Sequence, residues 1–175
     1  MRALLLTSAL AAGACASAPP PPAAVPVDHA PALPSLTYPL RGGGTWSSAD
    51  LAGRIAVIDV WASYCKPCEK SFPHLNDLAA DPTIAVLGLS VDEDDAAVDA
   101  FLATTPARFP IARDRTQSVE AAPLGIRQLP TVLVVDAAGR IRLRLEEPRE
   151  SDYVALPDVV AALRSGERGE AAEPR

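Results

Sequence analysis

Two of the three cysteines in this 175-residue chain stand three positions apart, Cys65-Lys66-Pro67-Cys68, a few residues after the apolar run Ile55-Ala-Val-Ile-Asp-Val60. The run is β-branched and apolar apart from Ala56 and one acid, Asp59, which suits a strand covered on both faces. Cys65 then falls where a helix begins, with Cys68 one turn further in. A helix start offers unpaired N–H groups and positive dipole potential, both of which stabilise a thiolate, the reactive form of cysteine. Lys66 adds a neighbouring positive charge. The stretch reads as a dithiol built to react. A C-x-x-C alone is a weak sign, because it also occurs in zinc sites and structural loops. Zinc needs four ligands, and only Cys65, Cys68 and His74 are near one another in sequence. His74 is read as a surface or half-buried helix residue, and no metal or cofactor is assigned.

The elements that must position this pair follow from periodicity. The helix after Cys65 runs towards Ala80, with Leu75, Leu78 and Ala79 as its apolar stripe and Pro73 as a kink. Thr83–Val91 is a second buried strand, and Asp92-Glu-Asp-Asp95 opens a helix reaching Thr104, its acids suited to the dipole. Phe109–Ala112 is a third short strand, and Thr116–Leu124 a short helix ending near Gly125. Thr131–Val135 and Ile141–Leu145 form a hairpin around Asp136–Gly139. Tyr153–Leu163 closes the domain as an amphipathic helix. Upstream, Leu36–Leu40 and the region of Trp46 pair around the Gly-rich turn Arg41–Thr45. Helices alternating with buried strands and ending in a hairpin define an α/β domain with a central mixed sheet.

The flanks read differently. Arg2 and the apolar Ala3–Ala12 have the length of a signal-peptide core and are too short to span a bilayer as a permanent helix. Ala12-Gly13-Ala14-Cys15 resembles the lipobox of bacterial lipoproteins, although Ala12 stands where Leu is usual. The resemblance implies lipidation of Cys15; ordinary cleavage nearby, leaving Cys15 lost or free, is the other reading. Either implies export to a compartment where disulfides persist. The organisation is therefore a leader over 1–15, an extended Pro/Ala-rich linker over 16–35, a folded domain over 36–165 and a polar tail over 166–175. His29 lies in the linker and is read as solvated. The net charge of −6 is spread without a basic stripe, which argues against nucleic-acid binding.

Trp61-Ala-Ser-Tyr-Cys-Lys-Pro-Cys68, Pro73 five residues beyond, and the distant Gly125-Ile-Arg-Gln-Leu-Pro-Thr131 together resemble the thioredoxin fold. More closely, residues 36–164 resemble the membrane-tethered thioredoxin-like proteins of the TlpA/ResA type. Those relatives share the N-terminal strand pair and the added strand and helix at about 83–104. Tyr64 stands where such proteins often carry Trp, and Asp59 where they commonly carry Asn and thioredoxin a buried Asp.

The resemblance implies that Cys65 is the nucleophile and Cys68 the resolving thiol, closing a Cys65–Cys68 disulfide as a substrate is released. Asp59 is then either the proton acceptor for Cys68, its pKa raised by burial, or an acid hydrogen-bonded for structure. Pro130 is expected to be cis, its loop with Leu129 offering backbone to an extended substrate. Trp61 and Tyr64 shape and cover the site, Lys66 lowers the Cys65 pKa slightly, Pro67 stiffens the turn, and Glu69 and Lys70 form a solvated face. The implied activity is reduction of disulfides in exported proteins by a periplasmic, lipid-anchored monomer fed by a membrane thiol carrier. Apocytochrome c and other exported proteins are the implied clients. A disulfide oxidant and a redox-silent binding module are the alternatives. A copper-delivery protein would carry C-x-x-x-C with a distant His, and a peroxidase of the peroxiredoxin class would lack C-x-x-C.

Overall fold

The apolar runs become the centre of one sheet. In the computed structural model, which describes residues 22–171, β3 (Ile55–Trp61) is buried at every position and β6 (Thr131–Val135) likewise. β4 (Ile84–Ser90) is buried at all but one position. With β5 (Ile111–Arg113) and β7 (Ile141–Glu146) they form a five-stranded mixed sheet in the order β5-β4-β3-β6-β7. β3 pairs parallel with β4 and antiparallel with β6. Trp61 and Thr131 therefore lie at the same end of the sheet, where Val60 faces Thr131. This is the thioredoxin fold expected from the sequence. A separate antiparallel pair, β1 (Thr37–Pro39) and β2 (Thr45–Ser47), turns through Gly42, Gly43 and Gly44. All three glycines have positive φ, a backbone region that side chains resist.

Among the described residues, three α-helices accompany the sheet: α1 (Ser71–Leu78), α2 (Asp95–Thr104) and α3 (Glu150–Ala171). Trp61 of β3 packs edge-on to Phe72 of α1 at 5.0 Å and obliquely on Phe101 of α2 at 4.5 Å. Phe109 closes the same cluster against Phe72. Gly88, beside Asp59 in the ladder, sits in tight packing: a Cβ there would stand 2.7 Å from Ile111 Cδ1 and 3.1 Å from the Trp61 indole nitrogen, so Ile111 would have to shift.

Several expected boundaries move. The Pro/Ala-rich stretch is not free spacer over its described part: Val25 N–H donates to Arg142 O, Leu33 N–H to Gly139 O and Ile141 N–H to Pro31 O. Ala32 bridges Arg140, and Ala30 is buried. Helix α2 begins at Asp95 because Asp94 is the residue that caps it, accepting from Ala96 N–H at 2.9 Å. The expected helix over 116–124 is only a 3₁₀ turn at Ser118–Glu120. Gln117 enters it with φ 53, and Pro123 disfavours helical backbone at Ala122. Helix α3 continues past Leu163 into the supposed tail, as far as Ala171. The leader and Cys15 lie outside the described residues.

Candidate active site

The strand β3 ends at the pair. After Trp61 the chain turns tightly, Cys65 N–H donating to Ala62 O and Cys68 N–H to Cys65 O. Cys65 and Cys68 are joined by a disulfide, with their Cα atoms 5.4 Å apart. Cys65 is 8% exposed and Cys68 fully buried, so the outer sulfur belongs to the residue expected to attack first. Cys65 precedes not the first turn of an α-helix but a 3₁₀ turn over Lys66–Lys70, with Pro67 in its first residues and α1 following at Ser71. Pro73 sits in the first turn of α1, where a missing N–H costs little. Lys66 is exposed, and its ammonium lies 2.7 Å from the Glu69 carboxylate.

Beneath the turn, Asp59 is wholly buried on β3, with Gly88 and Val132 as its ladder neighbours. Desolvation raises its pKa from 3.8 to about 7, against the lowering effect of a hydrogen bond from Ser71. The Ser71 hydroxyl lies 2.7 Å from Asp59 Oδ2 and 2.9 Å from the carbonyl oxygen of Cys68. Among the described residues, Asp59 Oδ1 has no hydrogen-bond partner. The buried Tyr153 of α3 faces the same group: burial first, and then the charge of Asp59, push its phenol up. His74 stacks on the Tyr153 ring at 5.7 Å and meets Glu150 at 2.7 Å, a structural packing role.

The other expected residues divide. Trp61 is fully buried and belongs to the core, whereas Tyr64 is 71% exposed beside Cys65. The Leu129–Pro130 bond is cis, with Pro130 buried and Leu129 half-buried immediately before β6. Arg144 of β7 donates to Leu124 O and Gly125 O, tying down the segment that leads to this proline. Sequence reasoning missed Ser71, Tyr153 and Asp92. Asp92 is buried, accepting from Ser63 N–H at 2.9 Å, Ser63 Oγ at 2.6 Å and Ser90 Oγ at 2.8 Å. It thereby holds the turn before Cys65. The i,i+3 spacing of Cys68 and Ser71 was a usable signal, since such residues are neighbours on a helical surface.

A thioredoxin fold with a C-x-x-C disulfide at the end of its central strand, a buried acid beneath it and a cis-proline at the same sheet end defines a thioredoxin-like dithiol protein. The chain matches the AhpC/TSA family over residues 29–144 and belongs to that family. It is 33% identical over 95 residues to the thiol-disulfide oxidoreductase ResA of Bacillus thuringiensis strain Al Hakam, a match covering 53% of this chain and 54% of ResA. The chain thus spans about half the length of the curated relatives it matches. A Chlorobium tepidum structure described as a thiol:disulfide interchange protein DsbE superposes with a TM-score of 0.71 at 28% identity, covering 77% of this chain and 96% of that one. A second Chlorobium tepidum protein, a thiol:disulfide interchange protein of the thioredoxin family, shares the fold with a TM-score of 0.62 at 24% identity over 77% and 97% of the two chains. These relatives support the TlpA/ResA-type resemblance.

Proposed function

We propose that this chain is an extracytoplasmic thiol-disulfide oxidoreductase that reduces disulfides of exported proteins through Cys65 and Cys68. The observation that carries the reading is the disulfide joining Cys65, 8% exposed, to a fully buried Cys68, whose carbonyl is linked through the Ser71 hydroxyl to the buried Asp59. In the reducing direction the Cys65 thiolate attacks a client disulfide, forming a mixed disulfide and expelling one client thiolate. Cys68 then gives its proton to the Asp59 carboxylate and attacks Cys65 Sγ. The Cys65–Cys68 bond forms, the second client thiolate leaves, and two electrons have passed to the client. Asp59, with its pKa near neutrality, suits that task. Leu129 and the cis Pro130 offer backbone to the client, Tyr64 covers the sulfur, and Pro67 stiffens the turn. A membrane thiol carrier would restore the dithiol, with lipidated Cys15 as the anchor. Periplasmic placement and reducing direction rest on the likeness to the TlpA/ResA type.

Insulin reduction coupled to dithiothreitol tests the activity. The wild type should accelerate it, Cys65→Ser should fall to background, and Cys68→Ser should accumulate mixed disulfides. Equal, negligible rates for wild type and Cys65→Ser would favour a redox-silent binding module. Equilibration with glutathione or dithiothreitol tests the direction, because a potential as high as about −120 mV is that of a strong oxidant. Mass spectrometry of the mature N-terminus tests the anchor, which unmodified Cys15 would refute.

A further inference from the structure

A serine hydroxyl carries one hydrogen, yet Ser71 Oγ has two acceptors within reach: Asp59 Oδ2 at 2.7 Å and the Cys68 carbonyl at 2.9 Å. It can serve only one as donor at a time. With Asp59 ionised, the hydroxyl must point at the carboxylate, because that oxygen has nothing to donate in return. With Asp59 protonated on Oδ2, the acid O–H can donate to Ser71 Oγ, and the serine hydrogen is free to turn to the Cys68 carbonyl. One rotation of a fully buried hydroxyl therefore keeps Asp59 Oδ2 hydrogen-bonded in both protonation states.

We infer that Ser71 is a positioning residue for the resolving step, its hydroxyl rotating between Asp59 and the Cys68 carbonyl as the acid gains or loses the Cys68 proton. The inference rests on the reading of Asp59 as that proton's acceptor. Among the described residues the Tyr153 phenol also faces Ser71, but it makes no hydrogen bond of ordinary distance and angle there. From the sheet, Asp59 has Gly88 and Val132 beside it, and neither titrates. From α1 come Ser71 and, behind the Tyr153 ring, His74; from α3 come Tyr153, Glu150 and Asp152. Among the described residues, those groups supply no cation aimed at the acid, and Oδ1 is unpartnered. The remaining aid to the ionised form is the Ser71 hydroxyl, which opposes burial. A hydrogen bond to a charged group is stronger than one to its neutral form, so losing the hydroxyl penalises the carboxylate more than the acid.

The test is the pH profile of mixed-disulfide resolution, followed in single turnovers with a chromophoric client thiol in full-length wild type, Ser71→Ala, Ser71→Thr and Asp59→Asn. The wild-type rate should rise through a limb near neutral pH. In Ser71→Ala that limb should move up by roughly one pH unit, the size expected for losing a charge-assisted hydrogen bond. Ser71→Thr, which keeps the hydroxyl, should restore it. Carboxyl carbon NMR of Asp59 in the oxidised protein should report the same shift without any turnover. Alanine suits a helix, so Ser71→Ala should fold, and circular dichroism would show this. A limb and an NMR titration unmoved in Ser71→Ala overturn the role of Ser71 while leaving Asp59 in place. So does an equal shift in Ser71→Thr, since the hydroxyl would then not be the cause. A limb that persists in Asp59→Asn overturns the Asp59 reading and this inference with it.

Discussion

Asp59 is an acid in a place that disfavours its charge, and stability should register this as clearly as catalysis. Its pKa rises from 3.8 unfolded to about 7 folded, so between those values the folded state holds a proton that the unfolded state has released. The resulting stabilisation is complete below pH 4 and is lost as pH climbs through 7. A difference of about three units corresponds to on the order of 4 kcal/mol. Asp59→Asn, neutral at every pH, should escape that loss. Urea unfolding with the disulfide intact should show wild-type stability falling from pH 4.5 to pH 8 while the variant stays nearly flat. Parallel curves for the two proteins would mean that Asp59 is ionised throughout. The strand itself marked this residue, since a single acid in an otherwise apolar run must be either accommodated or used. Its surroundings were hidden, because Ser71 bonds it from α1 while Tyr153 faces it from α3.

Among elements, the turn after β3 and the turn after β4 act as one unit. Val91 N–H donates to Trp61 O, and the Asp92 carboxylate takes the Ser63 amide, its hydroxyl and that of Ser90. The two strands are parallel neighbours, so the carboxylate at the end of one fixes the loop that delivers Cys65 from the other. Asp92→Ala would leave the buried Ser90 hydroxyl and the half-buried Ser63 amide and hydroxyl without this acceptor, a loss of about 2 kcal/mol. Chemical denaturation should show that loss, and amide exchange at Ser63 should quicken with it. Unchanged exchange there would separate Asp92 from the active-site turn. The strands were legible in the sequence because long β-branched runs admit few other readings. Asp92 was not, because four acids in succession all look like a helix start. Only Asp94 caps α2, and which acid does so depends on where β4 stops.

Across the whole molecule, the N-terminal residues close the sheet at both of its edges. β5 and β7 are the outer strands, and each would otherwise present unpaired backbone groups. On the β7 side, Val25, Pro31 and Leu33 bond Arg142, Ile141 and Gly139, while the Arg140 and Arg142 side chains donate to Ala30 O and Val25 O. On the β5 side, Leu40 bridges Ala112 and Arg41 N–H donates to Ile111 O. Composition could not disclose this: prolines argue against a strand, yet an edge needs only a donor or acceptor at every second or third residue. Val25 and Leu33 donate, and Pro31 accepts. A chain beginning at residue 36 keeps the β5 cover and loses the β7 cover, whereas one beginning at residue 22 keeps both. The shorter chain loses three backbone hydrogen bonds and two from arginines, about 2 to 4 kcal/mol at typical net values. Its Tm should fall by roughly 5 to 15 °C relative to the longer chain. With β7 bare, it should also self-associate as concentration rises, which light scattering would detect. Equal Tm values and equal scattering for the two chains would show that the segment merely lies on the sheet without protecting it.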